Sequence, residues 1–256
     1  MLNRDTNMDV SFDPGGPELT GKVALVTGSA KRLGRAIALH LARQGADVAV
    51  HFHRSASEAR EVVAEISSLG RRAISLQADL GKKTEIDLMF AEVSKEFRRL
   101  DILVNNASNF LHTEFASTSE ETWDASLDVN LKGPFFCAQA AAPLLKESRG
   151  VIVNLSDVGG LLGWTGYIPH CVSKAGILML TRALAKELAP EVRVNAIAPG
   201  TISMPGDPPE WEPDYIKRAP LRRTGTTADV TAAVSFLVNS SFITGQVLVL
   251  DGGRTL

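Results

Sequence analysis

The chain has 256 residues, 45% of them hydrophobic, and its 27 Lys and Arg against 29 Asp and Glu leave a formal net charge of -2. That is room for one large α/β domain with a sizeable core, and the near-neutral balance argues for neither a nucleic acid nor an anionic membrane surface as partner. Cys137 and Cys171 lack metal-ligand spacing, so no metal site is expected and a reducing, cytoplasmic setting is the default; no apolar run reaches membrane-spanning length, and no signal-peptide core precedes residue 20.

Residues 1–20 are polar, with Asp, Asn, Pro and Gly, and read as a flexible N-terminal tail. Residues 22–26 form a short apolar run of the kind a buried parallel strand uses. Thr27-Gly28-Ser29-Ala30-Lys31-Arg32-Leu33-Gly34 follows, then residues 35–43, where Ile37 and Leu41 lie four apart as on an amphipathic helix. A strand, a glycine-bearing turn and a helix start aim free backbone N–H groups and the positive end of a helix dipole at one spot. Phosphate is the natural occupant. Gly28 and Gly34 let backbone approach a pyrophosphate where a Cβ would collide. Taken alone, the turn also fits a plain βα connection, and it departs from Gly-x-Gly-x-x-Gly by placing Arg32 where a middle glycine would stand.

Residues 46–52 read as a second strand, with His53-Arg54-Ser55 at its end. A helix over 57–69 puts Val62, Ile66 and Leu69 on one side. A third strand over 72–77 runs into Ala78-Asp79-Leu80, and a helix covers 83–97. The fourth strand, 101–104, leads into Asn105-Asn106-Ala107-Ser108-Asn109-Phe110. Residues 119–145 hold one long helix or two, and 151–155 a strand ending at Ser156-Asp157. A helix follows from about Pro169, tolerated in a first turn, to about Leu188. A strand over 192–197 precedes Pro199-Gly200, and a helix over 229–238 and a strand over 247–250 close the chain. This alternation predicts one domain over 21–256, a Rossmann-type, doubly wound parallel sheet of the α/β class.

In such sheets ligands bind beyond the carboxyl ends of the strands, and the unusual polar clusters all fall there. The expected cofactor set is Gly28, Lys31, Arg32, Leu33, Gly34, His53, Arg54, Ser55, Asp79, Leu80, Asn106, Ala107, Pro199 and Gly200. An NAD site usually carries Asp or Glu after its second strand. Here His53, Arg54 and Ser55 stand in that place, and Arg54 with Lys31 and Arg32 suits a 2′-phosphate, hence NADPH/NADP.

With Thr27-Gly28 and Gly34, Asp79, Asn105-Asn106-Ala107, Asn130 and Pro199-Gly200 in place, the chain resembles the short-chain dehydrogenase/reductase family over residues 21–256. Within it, Lys31-Arg32-Leu33-Gly34, His51-Phe52-His53-Arg54-Ser55, the segment from Asn105 to Phe110 and Asp157 look most like the pteridine reductases and dihydromonapterin reductases. The resemblance implies NADPH, a reduced pterin or folate product, a small-molecule substrate and a homotetramer. It implies that Asp79 meets the adenine end and that Asn106 and Ala107 line the adenosine ribose. Lys174 would hold the nicotinamide ribose, and Asn130 would kink its helix and anchor a water. Phe110 would stack on the substrate ring, and Trp211, in the Pro-rich stretch 205–213, would belong to a substrate loop together with its neighbours.

The family donates its proton from a Tyr four residues before the Lys. Here that position is His170, with Asp157 thirteen residues earlier, giving Asp157, His170, Lys174 and Asn130 as the catalytic set and Phe110, Asp157 and Trp211 as the substrate set. His170 and Lys174, four apart, share a helix face. Three readings stay open: His170 is a general acid oriented by Asp157; water or Asp157 supplies the proton; or the chain binds NADP(H) without catalysis. Tyr167 is a substitute donor only if the helix extends back past Pro169.

Overall fold

The structure, a computed structural model, describes residues 19–204, 206–207 and 211–256. The tail reading of residues 1–18 lies outside them. The elements are β1 (Val23–Val26), α1 (Arg32–Arg43), β2 (Asp47–Phe52), α2 (Ala56–Ser68), β3 (Ala73–Gln77), α3 (Lys83–Phe97) and β4 (Ile102–Asn105). Then come α4 (Glu120–Leu127), α5 (Gly133–Ser148), β5 (Val151–Leu155), α6 (Ile168–Glu187), β6 (Arg193–Pro199), α7 (Trp211–Arg218), α8 (Thr227–Asn239) and β7 (Val247–Leu250). The strands form one parallel sheet in the order β3-β2-β1-β4-β5-β6-β7. The chain works outward from β1 to β3, then crosses back to lay β4 on the other side of β1. That reversal opens a crevice beyond the carboxyl ends of β1 and β4, where such sheets bind ligands.

Each face of the sheet is covered. On one face Ile37 and Leu41 of α1, Val62 and Ile66 of α2 and Val234 of α8 pack on the strands; on the other, Ile86 and Phe90 of α3 and Leu145 of α5 do so. Burial of each such side chain contributes about 1.5–3 kcal/mol. Leu19, within the stretch expected as tail, packs into the first cluster. Among the described residues no helix is long and apolar enough to cross a membrane.

Two segments depart from the sequence pattern. Residues 119–145 are two helices joined by a π-helical turn over Asp128–Lys132. Pro134 has no N–H to give the Asn130 carbonyl and stands in the first turn of α5, where that donor is not needed. The stretch expected as a substrate loop gives way to α7 at Trp211, with Pro213 tolerated in its first turn. Tyr215 on this helix donates its hydroxyl to the Asp251 carbonyl at 2.6 Å.

One buried carboxylate ties β1 to β4. The Val23 N–H donates to Asp101 Oδ2 at 3.0 Å, and the Asp101 N–H donates back to the Val23 carbonyl at 2.9 Å. Arg99 clamps both oxygens at 2.7 Å, and Lys22 reaches Oδ1 at 3.1 Å. Burial pushes the Asp101 carboxyl up, but Arg99, the Val23 N–H and Lys22 together hold it below the usual carboxylate range. Its contribution is therefore present at neutral pH and fades as pH falls through that lowered range. Asp101→Ala should cost about 2–4 kcal/mol of unfolding free energy at pH 7. Urea denaturation at neutral and acidic pH checks this, and the gap from wild type should narrow in acid.

Candidate active site

The end of β1 is stitched to the end of β4. Thr27 Oγ1 accepts from the N–H groups of Asn106 and Ala107 at 2.9 and 3.0 Å. The Asn106 amide donates to the Thr27 and Gly28 carbonyls at 2.8 and 3.3 Å. Gly28 has φ +64°, and a Cβ there would lie 3.0 Å from Ala107 Cα. A Cβ on Gly34 would overlap the Gly28 carbonyl and the Asn106 amide. Both glycines are demanded by this close packing as well as by any ligand.

His51 in β2, an ordinary strand residue by its place in the sequence, braces the turn from beneath. The Gly28 N–H donates to His51 Nδ1 at 2.9 Å, and His51 Nε2 donates to the Ala78 carbonyl at 3.0 Å. This fixes the neutral ring with its proton on Nε2. Burial pushes the His51 pKa down to about 4, with the Ala78 carbonyl opposing and His53 assisting. The Gly28 N–H is thus spent inside the protein and is not a phosphate donor. The donors left to a phosphate are the first N–H groups of α1 at Arg32, Leu33 and Gly34.

A cleft of about 910 Å³ lies over this turn, at the upper end of the roughly 300–1,000 Å³ of ligand sites. His53, Arg54, Ser55 and Asp79 line one end and Asn106 and Ala107 its floor. The expected cationic trio is divided. Lys31 pairs with Glu58 at 2.6 Å and Arg32 with Asp207 at 2.7 Å. Among the described residues Arg54 has no acidic partner, and no carboxylate stands at the end of β2. These features fit a dinucleotide with a 2′-phosphate. Four expected contacts, Leu80, Lys174, Pro199 and Gly200, do not line the cleft. Leu80 is buried in the core beside Gly133, because α5 packs against it. Pro199 is buried at the end of β6, and Gly200 is closed over by Tyr215 and Asp251, where a Cβ would collide with the tyrosine hydroxyl.

Asp157, His170, Lys174 and Asn130 converge at the ends of β5 and α6. His170 Nε2 lies 2.7 Å from Asp157 Oδ2, and Nδ1 lies 3.3 Å from the Asn109 carbonyl. Asp157 Oδ1 accepts the Gly159 N–H at 2.7 Å. Burial pushes the Asp157 carboxyl up, but the His170 hydrogen bond and the Lys174 charge more than offset it, and it lies below the usual range. The ionised carboxylate and the carbonyl are both acceptors, so a ring protonated on both nitrogens donates to both. The Lys174 ammonium is buried and donates to the Leu155 carbonyl at 3.0 Å; burial lowers its pKa and Asp157 opposes.

Asn130, inside the π-helical turn, does kink its helix. Its side-chain amide is taken up by protein partners. Oδ1 accepts from the Asn109 N–H and Ser108 Oγ at 2.8 and 3.1 Å, and the amide donates to the Asn109 carbonyl and Ser173 Oγ at 3.1 and 3.2 Å. That uses its full capacity. Asn130 clamps the backbone that His170 leans on, which gives Asn109 a place in the site that its sequence position did not signal.

His170 is only 2% exposed. Trp164 lies parallel to its ring, with centroids 6.1 Å apart, and Phe110 meets it edge-on at 4.7 Å. Phe110 in turn stacks on Tyr167 at 4.4 Å, so its near face is occupied by protein and not free for a substrate ring. Tyr167 precedes α6 as its N-cap, as the Pro169 boundary requires. The Trp211 side chain lies outside what the structure describes. Among the described residues no cluster of His, Cys, Asp and Glu could hold a metal ion.

His51 carries a testable consequence. The folded pKa near 4 lies below the usual 6.5, so the unfolded chain binds more protons between them, and stability falls as pH drops through that window. The span is on the order of 3 kcal/mol. His51→Phe should flatten this acid limb in a pH series of unfolding curves. It should also weaken NADP⁺ binding at least about tenfold by freeing the Gly28 backbone, and His51→Asn should restore part of it.

A family model described as Enoyl-(Acyl carrier protein) reductase matches residues 28–255. A 3-oxoacyl-[acyl-carrier-protein] reductase of Staphylococcus aureus is 38% identical over 239 residues, covering 91% of this chain and 97% of that protein. A (2S)-[(R)-hydroxy(phenyl)methyl]succinyl-CoA dehydrogenase subunit of Thauera aromatica is 38% identical over 245 residues, covering 93% and 98%. The crystal structure of a short-chain dehydrogenase from Burkholderia cenocepacia in complex with NADP superposes with a TM-score of 0.88 at 36% identity, covering 93% and 99% of the two chains. None of these three is described as a pteridine reductase. With the glycine turn, the cleft and the Asp157–His170–Lys174 cluster, these likenesses place the chain in the short-chain dehydrogenase/reductase family, as an NADP-dependent oxidoreductase.

Proposed function

We propose that this protein uses NADPH to reduce a carbonyl or imine carbon on a flat, pterin-like ring, with the proton coming from the His170–Asp157 pair. The observation that carries the reading is the aromatic panel of Phe110, Trp164 and Tyr167 set around that pair. Aromatic rings gathered beside a proton donor suit a conjugated ring better than a flexible chain. The likeness to the Staphylococcus aureus 3-oxoacyl-[acyl-carrier-protein] reductase favours a second reading, a 3-oxoacyl thioester.

NADPH, when bound, supplies the hydride. The chain supplies position and charge. Arg54, uncommitted to any acid, takes the 2′-phosphate, and Asn106 and Ala107 bound the ribose. Lys174 has spent one ammonium N–H on Leu155 and keeps two for the ribose side; its charge favours the anion that develops on the substrate heteroatom. Asp157 orients the His170 ring and holds its proton at Nε2. His170 passes a proton to the heteroatom when the substrate displaces one of the ring's two acceptors, Asp157 Oδ2 or the Asn109 carbonyl, and Phe110 turns aside from the edge of the ring. A tyrosine at this position would offer one hydroxyl, whereas the imidazole offers a proton without a strongly depressed phenol. The homotetramer belongs to the same reading: β7 ends the sheet with an open edge, and Phe242 and Leu256 nearby are fully exposed.

NADPH consumption should be followed in parallel with dihydrobiopterin and acetoacetyl-CoA. Turnover of the pterin is expected, and His170→Phe should then lose at least about a hundredfold in kcat. Turnover of the thioester alone moves the assignment to the second reading, and a Phe variant as fast as wild type removes His170 from the proton path.

Cofactor choice is read separately by calorimetry. A charge-assisted contact to the 2′-phosphate contributes about 1.5–3 kcal/mol, so NADPH should bind at least about tenfold more tightly than NADH. Arg54→Ala should remove most of that preference while leaving NADH binding near wild type. Equal affinities in the wild type would count against the 2′-phosphate role.

A further inference from the structure

Arg32 lines the cleft, and Asp207, three residues beyond the lining Met204, pairs with it. Arg32 belongs to the glycine turn and holds φ +52°, a left-handed conformation for a residue with a side chain. Its guanidinium reaches Asp207 Oδ1 at 2.7 Å. Asp207 lies in the segment that follows β6. Its Oδ2 accepts the Met204 N–H at 2.9 Å, and its own N–H donates to the Met204 carbonyl at 3.1 Å. Met204 lines the cleft. One carboxylate therefore bonds Met204 of the cleft lining and holds a cation of the glycine turn. The Lys31–Glu58 pair is different, since Glu58 lies on α2 beside the same end of the cleft.

Asp207 is the better buried member of its pair, 17% exposed against 56% for Arg32. A phosphate lying over the glycine turn would meet the same guanidinium. A carboxylate and a phosphate on one guanidinium repel each other, and the planar fork is best filled by one anion at a time. We propose that Asp207 is a cofactor-affinity determinant that competes with a cofactor phosphate for Arg32, so that NADP(H) binding exchanges the Arg32–Asp207 pair for an Arg32–phosphate pair. The exchange weakens cofactor binding by the strength of the pair it breaks. It also couples occupancy of the cleft to the Met204 turn, because the same carboxylate holds both. The proposal rests on the dinucleotide reading of the cleft.

The test is calorimetric titration of NADP⁺ and NAD⁺ into wild type, Asp207→Asn, Arg32→Gln and the double variant at low and high salt. The substituted amide keeps an oxygen acceptor for the Met204 N–H, so the turn should survive the Asp207→Asn change. Asp207→Asn should tighten NADP⁺ binding about threefold to tenfold at low salt, with the gain shrinking as salt screens the pair. The gain should vanish when Arg32 is already Gln. A gain shared by NAD⁺ assigns the contact to the pyrophosphate; a gain confined to NADP⁺ assigns it to the 2′-phosphate. An Asp207→Asn protein that binds both dinucleotides as wild type does, or more weakly, overturns the proposal while leaving the cleft assignment intact. A wild type that binds neither dinucleotide overturns the cleft assignment, and the proposal with it.

Discussion

The backbone at Gly28 is the constraint on which the rest of the site depends. It is held from below by the neutral ring of His51 and from the side by the Asn106 amide, while Thr27 gathers the two N–H groups that follow β4. The β1 and β4 ends are thereby fixed at the place where the sheet order reverses. A phosphate-binding turn needs donors at fixed positions before the ligand arrives, since ordering a loop at the moment of binding subtracts from affinity. Here the ordering is built into the fold: side chains and carbonyls satisfy the turn's inner groups and leave the first N–H groups of α1 to face outward.

The chemistry end works by a different balance. Lys174 is buried and Asp157 half-buried, and each alone would be pushed toward its neutral form. The carboxylate stays ionised because His170, Lys174 and the Gly159 N–H all favour its charge. Placing histidine at 170 changes the wiring of the site. A phenol has one hydroxyl to offer, whereas the imidazole has two nitrogens, and each faces an acceptor: Asp157 at the end of β5 and the Asn109 carbonyl after β4. The ring becomes a bridge between two strand ends. Asn130 steadies the far pier of that bridge, which is why its own side chain has no capacity left for solvent.

The cation cluster shows how a surface reading and a site reading differ. Lys31, Arg32 and Arg54 look equivalent as charges along the chain. In the fold two of them already have carboxylate partners, and a ligand must outcompete those partners to use them. Exposed pairs of this kind contribute only up to about 1 kcal/mol, so they tune affinity without blocking it. Among the described residues, Arg54 of these three meets a ligand without first giving up a carboxylate partner.

The resemblance to the family pointed to Asp157, while local pattern along the chain was enough to specify the doubly wound sheet, the glycine turn, the single domain and the shared helix face of His170 and Lys174. These follow from apolar runs, helix periodicity, glycine at a close approach and spacing along one helix. Helix α3 and strands β5 and β7 coincide with their expected spans because nothing distant contests them. Long-range packing set the rest. His51 sits in an apolar strand, and only the register of β2 beside β1 puts its ring under Gly28. Leu80 left the cofactor set because α5 packs against it, and Gly200 because Tyr215 on the unforeseen helix α7 closes over it. Arg32 lost its freedom to Asp207, 175 positions later in the chain. Hydrogen bonds and ion pairs between residues so far apart leave no periodic trace along the chain, because they are fixed by which strand ends the sheet order brings together.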